Sequence, residues 1–341
     1  GQNPKSDRRW GEVGDYLETL QPRIQAAHER AVPIACWTGP ADQVSESDHP
    51  LCIVADAPYG VQSELQGSAL ADLVTGWSVD SGNVYRASLS SRPQQVFVDG
   101  SFGDRKASRG ELSGDRDWYW ESNTLYLYSS GGDPDTRYGS PGVEAGQRDN
   151  GVTLSSKQHL VIRGITVAQT NKYGVFSWVS SYITIEDCVL EWNWLDGCHF
   201  NSNVGYSHIT VEDSTARYNG SDGILFTLGG GTSSFHVVRG NKCYQNGARQ
   251  GSDYDWLHRY TSGIKVFGPG GTSNVVIQQN EVHHNGYAGG QSGNGIWFDY
   301  ASASNEENAN IVAHNLVYEN QKNGIFLESS SRCQVHGNVL Y

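Results

Sequence analysis

The feature that most constrains this chain is an internal repeat beginning at Gly151. Seven segments open with Gly, a small or aliphatic residue, any residue, then usually an apolar one. They are Gly151-Val-Thr-Leu, Gly174-Val-Phe-Ser, Gly197-Cys-His-Phe, Gly223-Ile-Leu-Phe, Gly263-Ile-Lys-Val, Gly295-Ile-Trp-Phe and Gly324-Ile-Phe-Leu, spaced by 23, 23, 26, 40, 32 and 29 residues. Most segments continue into a second alternating run, such as His159-Leu-Val-Ile-Arg or Asn274-Val-Val-Ile-Gln. A third short run then ends near Asn219, Asn246, Asn285 or Asn320.

Three short strands per repeat make one coil, and stacked coils bury a continuous core while aligning the Asn residues in a turn ladder. The period is too short for a propeller blade and has the wrong chemistry for a leucine-rich repeat. The expected fold is therefore all-β, a parallel β-helix over residues 151–341. These Gly-Ile openings with Asn-rich turns resemble the right-handed β-helices of the pectate-lyase-like superfamily, a resemblance that speaks for fold more than for substrate.

Residues 1–150 read differently, as an N-terminal cap and accessory β region. A helical pattern through Leu17, Leu20, Ile24 and Ala27 predicts a capping helix, kinked or started at Pro22. Strand patterns follow at Leu51–Ala55, Gly82–Arg86 and Gln95–Asp99, with a hairpin over Trp118–Tyr128. Six cysteines, at 36, 52, 188, 198, 243 and 333, are too scattered for a disulfide scaffold or a zinc site. Cys36 and Cys52 form the one candidate bridge.

Strand side chains alternate, so the first and third residues after each Gly face the core and the second and fourth face out. The outward columns read Thr153, Phe176, His199, Leu225, Lys265, Trp297, Phe326 and Ser155, Trp178, Asn201, Thr227, Phe267, Asp299, Glu328. Aromatic rings mixed with ionisable groups on an exposed sheet suit a sugar chain. Trp297, Phe267, His199, Trp178 and Phe326 are the candidate substrate contacts. Inserts over Gly247–Ser262 and Gly286–Asn294 should rise beside this face as walls, the first adding Asp255, His258 and Arg259.

Asp299 and Glu328 occupy one outward column in successive coils, so their carboxyl groups should lie about 5 Å apart, the separation that retaining glycosidases use. Their flanks, Gly295-Ile-Trp-Phe-Asp-Tyr and Gly324-Ile-Phe-Leu-Glu-Ser, are similar to the segments that bear the nucleophile and the acid/base in β-helical bacterial β-xylosidases. That resemblance implies Asp299 as nucleophile and Glu328 as acid/base, with no cofactor. The chain departs from those enzymes after Glu328, where Ser329, Ser330 and Ser331 replace a His-Gly-Pro continuation.

Lys265 supports a rival chemistry. Uronate lyases on this fold resemble one another in taking the C5 proton with Lys or Arg while Ca²⁺ neutralises the carboxylate. Asp196 and Asp222, each before a repeat Gly, are the candidate Ca²⁺ ligands, although Asp-Gly is also ordinary turn chemistry. A noncatalytic glycan-binding β-helix is the third reading. Glycosidic hydrolysis of a polysaccharide or oligosaccharide is preferred over elimination.

Composition narrows the partners. A net charge of −13, with 24 basic against 37 acidic residues, argues against nucleic acid. No apolar run is long enough to span a membrane. The resemblance implies a secreted or periplasmic protein, and the sequence reads as a mature or trimmed form. It stops at Tyr341 inside an unfinished coil, so more protein is expected to follow.

Overall fold

A side chain at Gly223 would place its Cβ 2.5 Å from the carbonyl oxygen of Gly263 and 2.9 Å from the Asn246 amide nitrogen. Gly174, Gly197 and Gly295 meet the next repeat glycine's carbonyl at 2.5–2.6 Å in the same way. The repeat glycine is thus imposed by the close approach of one coil to the next, and its spacing counts coils.

The computed structural model describes residues 63–66, 73–248, 260–269, 271–287 and 289–341. Three parallel sheets of seven, eight and eight strands run along the stack. The seven-stranded sheet, called here the site sheet, comprises Asn150–Ser155, Tyr173–Trp178, Cys198–Ser202, Ile224–Leu228, Ser262–Phe267, Asn294–Asp299 and Ile325–Glu328. The expected inward residues fill the core: Val175, Cys198, Phe200, Ile264, Ile296 and Phe298 are fully enclosed. Ser177, polar at an inward position, is buried with them. Leu327, expected inside, is 38% exposed because its coil has no described neighbour on one side.

Two turns per coil share one device. A residue with left-handed backbone is followed by a residue whose side chain bonds the turn above. Trp192, Tyr218, Gln245, His284 and Glu319 have φ of 50–55° and precede Asn193, Asn219, Asn246, Asn285 and Asn320. Each Asn Nδ2 donates to the next Asn Oδ1 at 2.9–3.0 Å. A second ladder, Asn241–Asn280–Asn315–Asn338, has the same geometry. Left-handed backbone costs a non-glycine residue roughly 1–2 kcal/mol, and these bonds to buried backbone groups offset it.

The accessory region forms an antiparallel hairpin of Asp117–Glu121 with Thr124–Tyr128. Ser122 and Asn123 both take positive φ, as a two-residue turn that matches strand twist requires. The hairpin lies within a five-stranded sheet, beside a three-stranded one, over a hydrophobic cluster separate from the coil core. Gln95 ties the two parts together, donating through Nε2 to the carbonyls of Thr170 and Trp192 at 2.7 and 2.8 Å. Ser63–Gln66 pairs in parallel with Ile165–Ala168, extending an eight-stranded sheet from before residue 150. The expected helix near residues 12–31, the Leu51–Ala55 strand and the Cys36–Cys52 bridge lie outside the described residues. The four described cysteines are free.

His236 sits in the core against Tyr206 and Phe226, its Nδ1 accepting from the Ile209 amide at 3.3 Å. Burial, with a smaller push from His208, lowers its pKa to about 3. The folded value lies below the unfolded one. Stability is therefore intact above the ordinary histidine pKa and is lost as pH falls from there toward 3. Denaturant midpoints should show wild type losing about 1.5 kcal/mol more than His236→Gln between pH 6.5 and 5. Equal losses would refute this assignment.

Candidate active site

The site sheet's registers bring the outward residues together. Lys265 pairs with Trp297, Phe267 with Asp299, and Asp299 with Glu328 in successive strands. Adjacent strands are about 4.8 Å apart, so Asp299 and Glu328 share one column one rung apart.

The face they occupy is not the exposed sheet that alternation predicts. Lys265 and Trp297 are each 5% exposed, Asp299 7% and His199 8%. Alternation fixes direction from the core and says nothing of what covers the outer side. Trp297 therefore serves as floor: the Lys265 Nζ lies 3.4 Å from its ring centroid, and Phe326 tilts against it at 5.7 Å.

Two cavities open on this floor and share Asp299, Phe267 and Tyr260. The first, about 360 Å³, is lined also by Asp196, His199, Asp222, Lys265 and Tyr173. The second, about 470 Å³, adds Glu328, Trp297, Phe326, Lys322 and Asn323. The sequence candidates Asp299, Lys265, His199, Phe267, Asp196 and Asp222 thus meet in one cavity, and Glu328, Trp297 and Phe326 in its neighbour. Trp178 lines neither. It is 36% exposed on a strand four rungs from Asp299, about 19 Å along the stack. Asp255, His258 and Arg259 lie outside the described residues.

Polar contacts order the first cavity. Lys265 Nζ is 3.1 Å from Asp299 Oδ2, which leaves Asp299 Oδ1 outside that pair. Asp222 Oδ1 accepts from both the amide and the hydroxyl of Ser262 at 2.6 Å. Asp196 Oδ1 accepts from the Asp222 amide at 2.9 Å. His199 Nδ1 approaches Asp196 Oδ2 at 3.1 Å, off the line that a hydrogen bond needs, and its Nε2 is 3.0 Å from Thr227 Oγ1.

Burial, and then the nearby Asp196 carboxylate, push the Asp222 carboxyl well above the usual range, while Lys265 pulls it back. Burial followed by Asp196 and Asp149 raises Tyr173, which keeps its phenol proton as a donor into the cavity.

For Ca²⁺, which takes about 6–8 oxygens, the Asp196 and Asp222 set is a poor fit because one oxygen of each already serves the fold. Among the described residues no group of three or more His, Cys, Asp or Glu side chains is arranged to hold a metal ion. Asp196 Oδ1 and Asp222 Oδ1 each accept a backbone amide of the next coil, a contact that Asp-Gly turn chemistry also makes. Sequence reading missed Tyr173, Tyr260, Lys322 and Asn323. Tyr173 and Asn323 each directly precede a repeat Gly, a position as regular as the outward columns.

The profile of the right-handed β-helix region matches residues 148–340, more than half of the chain. No curated protein matches it significantly. Among solved structures, the chain is similar to XylC in complex with xylose, at 15% identity and a TM-score of 0.59, over 83% of this chain and 54% of that one. It thus spans about half of that protein's length. It is also similar to a glycoside hydrolase, at 10% identity and a TM-score of 0.54, over 81% and 82% of the two chains. At these identities the likeness is one of fold. The chain belongs to the right-handed β-helix family.

Proposed function

We propose that this protein is a carbohydrate-active enzyme that hydrolyses glycosidic bonds with retention, through Asp299 and Glu328. The observation that carries the reading is the in-register pairing of these two acids, with Asp299 lining both cavities and Glu328 the second. Strands one rung apart are about 4.8 Å from each other, a backbone spacing from which carboxyl groups in one column can reach the ~5–5.5 Å separation of a retaining pair.

Asp299 attacks the anomeric carbon of a sugar in the first cavity. Glu328 protonates the departing oxygen on the side of the second cavity. Water then displaces Asp299, giving its proton to Glu328. Lys265 holds one Asp299 oxygen and so orients the other for attack. Tyr173 and His199 serve as hydrogen-bond partners for sugar hydroxyls.

The lyase reading gains less support, since the Lys265 ammonium is engaged by a carboxylate and a ring face rather than open toward a C5 proton. Incubation with a panel of oligosaccharides, xylosides included because XylC binds xylose, tests both. Early products should keep the anomeric configuration of the substrate by NMR, with no rise in the unsaturated-uronate absorbance band. Inversion would overturn the nucleophile assignment, and a rising band would replace hydrolysis by elimination. A glycan panel bound without turnover would favour the noncatalytic reading.

A further inference from the structure

Away from the cavities, the third strand of one coil ends at His283, and His284 follows in the left-handed turn. Their Nδ1 atoms face each other at 2.7 Å with the rings nearly perpendicular, at 84°.

Neither ring is loosely held. His283 is sandwiched between Tyr244 and Tyr318, its neighbours in register, at centroid distances of 4.9 and 4.6 Å and within 11° of parallel. His284 Nε2 lies 2.9 Å from a Glu319 carboxylate oxygen, one coil along in the same turn position. A carboxylate there keeps the proton on Nε2 and directs the Nδ1 lone pair toward His283. Glu281 stands farther off the His283 Nε2, at 3.9 Å, held by the Tyr318 hydroxyl.

We infer that His283 and His284 form a two-imidazole site for a borderline divalent transition ion of the Zn²⁺ type, completed by water. Neutral imidazole suits such ions, and the single proton between the two Nδ1 atoms need only move to His283 Nε2, a tautomer shift that leaves both rings neutral and both Nδ1 lone pairs free. Two tetrahedral ligand nitrogens at about 2.0–2.1 Å from zinc stand roughly 3.3–3.4 Å apart, so the rings must open by roughly 0.6–0.7 Å from their 2.7 Å contact. Water reaches the site, because the His284 side chain is 46% exposed. The inference is independent of the reading of Asp299 and Glu328.

Calorimetric titration of the full chain with zinc chloride tests it. Wild type should give a saturable isotherm containing one site that His284→Gln removes and that the control His159→Gln keeps. His284 is half-exposed, so the variant should fold, and its unfolding curve checks this. On wild type, Cu²⁺ at one equivalent should show an EPR hyperfine pattern from two imidazole nitrogens. No saturable heat, equal binding by wild type and His284→Gln, equal loss in both variants, or a pattern without two nitrogens would each overturn the site.

Discussion

Asp299→Asn is expected to lower kcat/KM on the best glycoside by about 10⁴-fold or more, the scale on which loss of a catalytic nucleophile is felt. The amide cannot attack the anomeric carbon, and it also leaves the Lys265 ammonium without its carboxylate at 3.1 Å. Glu328→Gln should behave differently. On substrates whose leaving group needs no proton its first step survives, so the intermediate accumulates and a burst appears. Added azide should then rescue turnover, replacing water that lacks its base. Undiminished turnover in Asp299→Asn on a wild-type substrate would end the assignment.

Asn246→Ala carries the largest expected effect on stability, about 4 kcal/mol in denaturant unfolding. Its side chain donates to the Ala216 carbonyl and to Asn285 Oδ1, and it accepts from the amide and the side chain of Asn219. All four partners lose a bond, and Asn246 itself is fully buried, so water cannot replace it. A partly exposed ring stacked on a strand has no such consequence; Tyr182→Ala, at 40% exposure, should cost less than about 1.5 kcal/mol. Comparable losses in the two variants would show that the ladder contributes no more than stacking does.

The coil architecture was legible in the sequence because each repeat glycine but the last lies so close to the next coil that a Cβ would stand 2.5–3.0 Å from a backbone oxygen, room that only glycine leaves. One Asn ladder was legible too. The second was overlooked although its mark is present: Asn241, Asn280 and Asn315 each stand five residues before Asn246, Asn285 and Asn320, one three-residue strand apart.

The pairing of Asp299 with Glu328 followed from the period alone. Burial of Lys265, Trp297 and His199 did not, since a two-residue alternation knows inside from outside but not what leans over the outside. Tyr260 was missed for the same reason, since it enters the cavities from the end of a connection, whereas Tyr173 stands at the regular position before a repeat Gly and was readable there.

The left-handed turn between the second and third strands of a coil is two residues long from Asp187–Cys188 through Asp213–Ser214, Gly240–Asn241 and Gln279–Asn280 to Gly337–Asn338. The other two connections vary, and both adjoin the site sheet. One corner of the triangle is thus frozen in length while the edge opposite it is bordered by the two elastic ones. Insertions in those two connections lengthen the rim beside the site sheet and leave the stacked turns as they are.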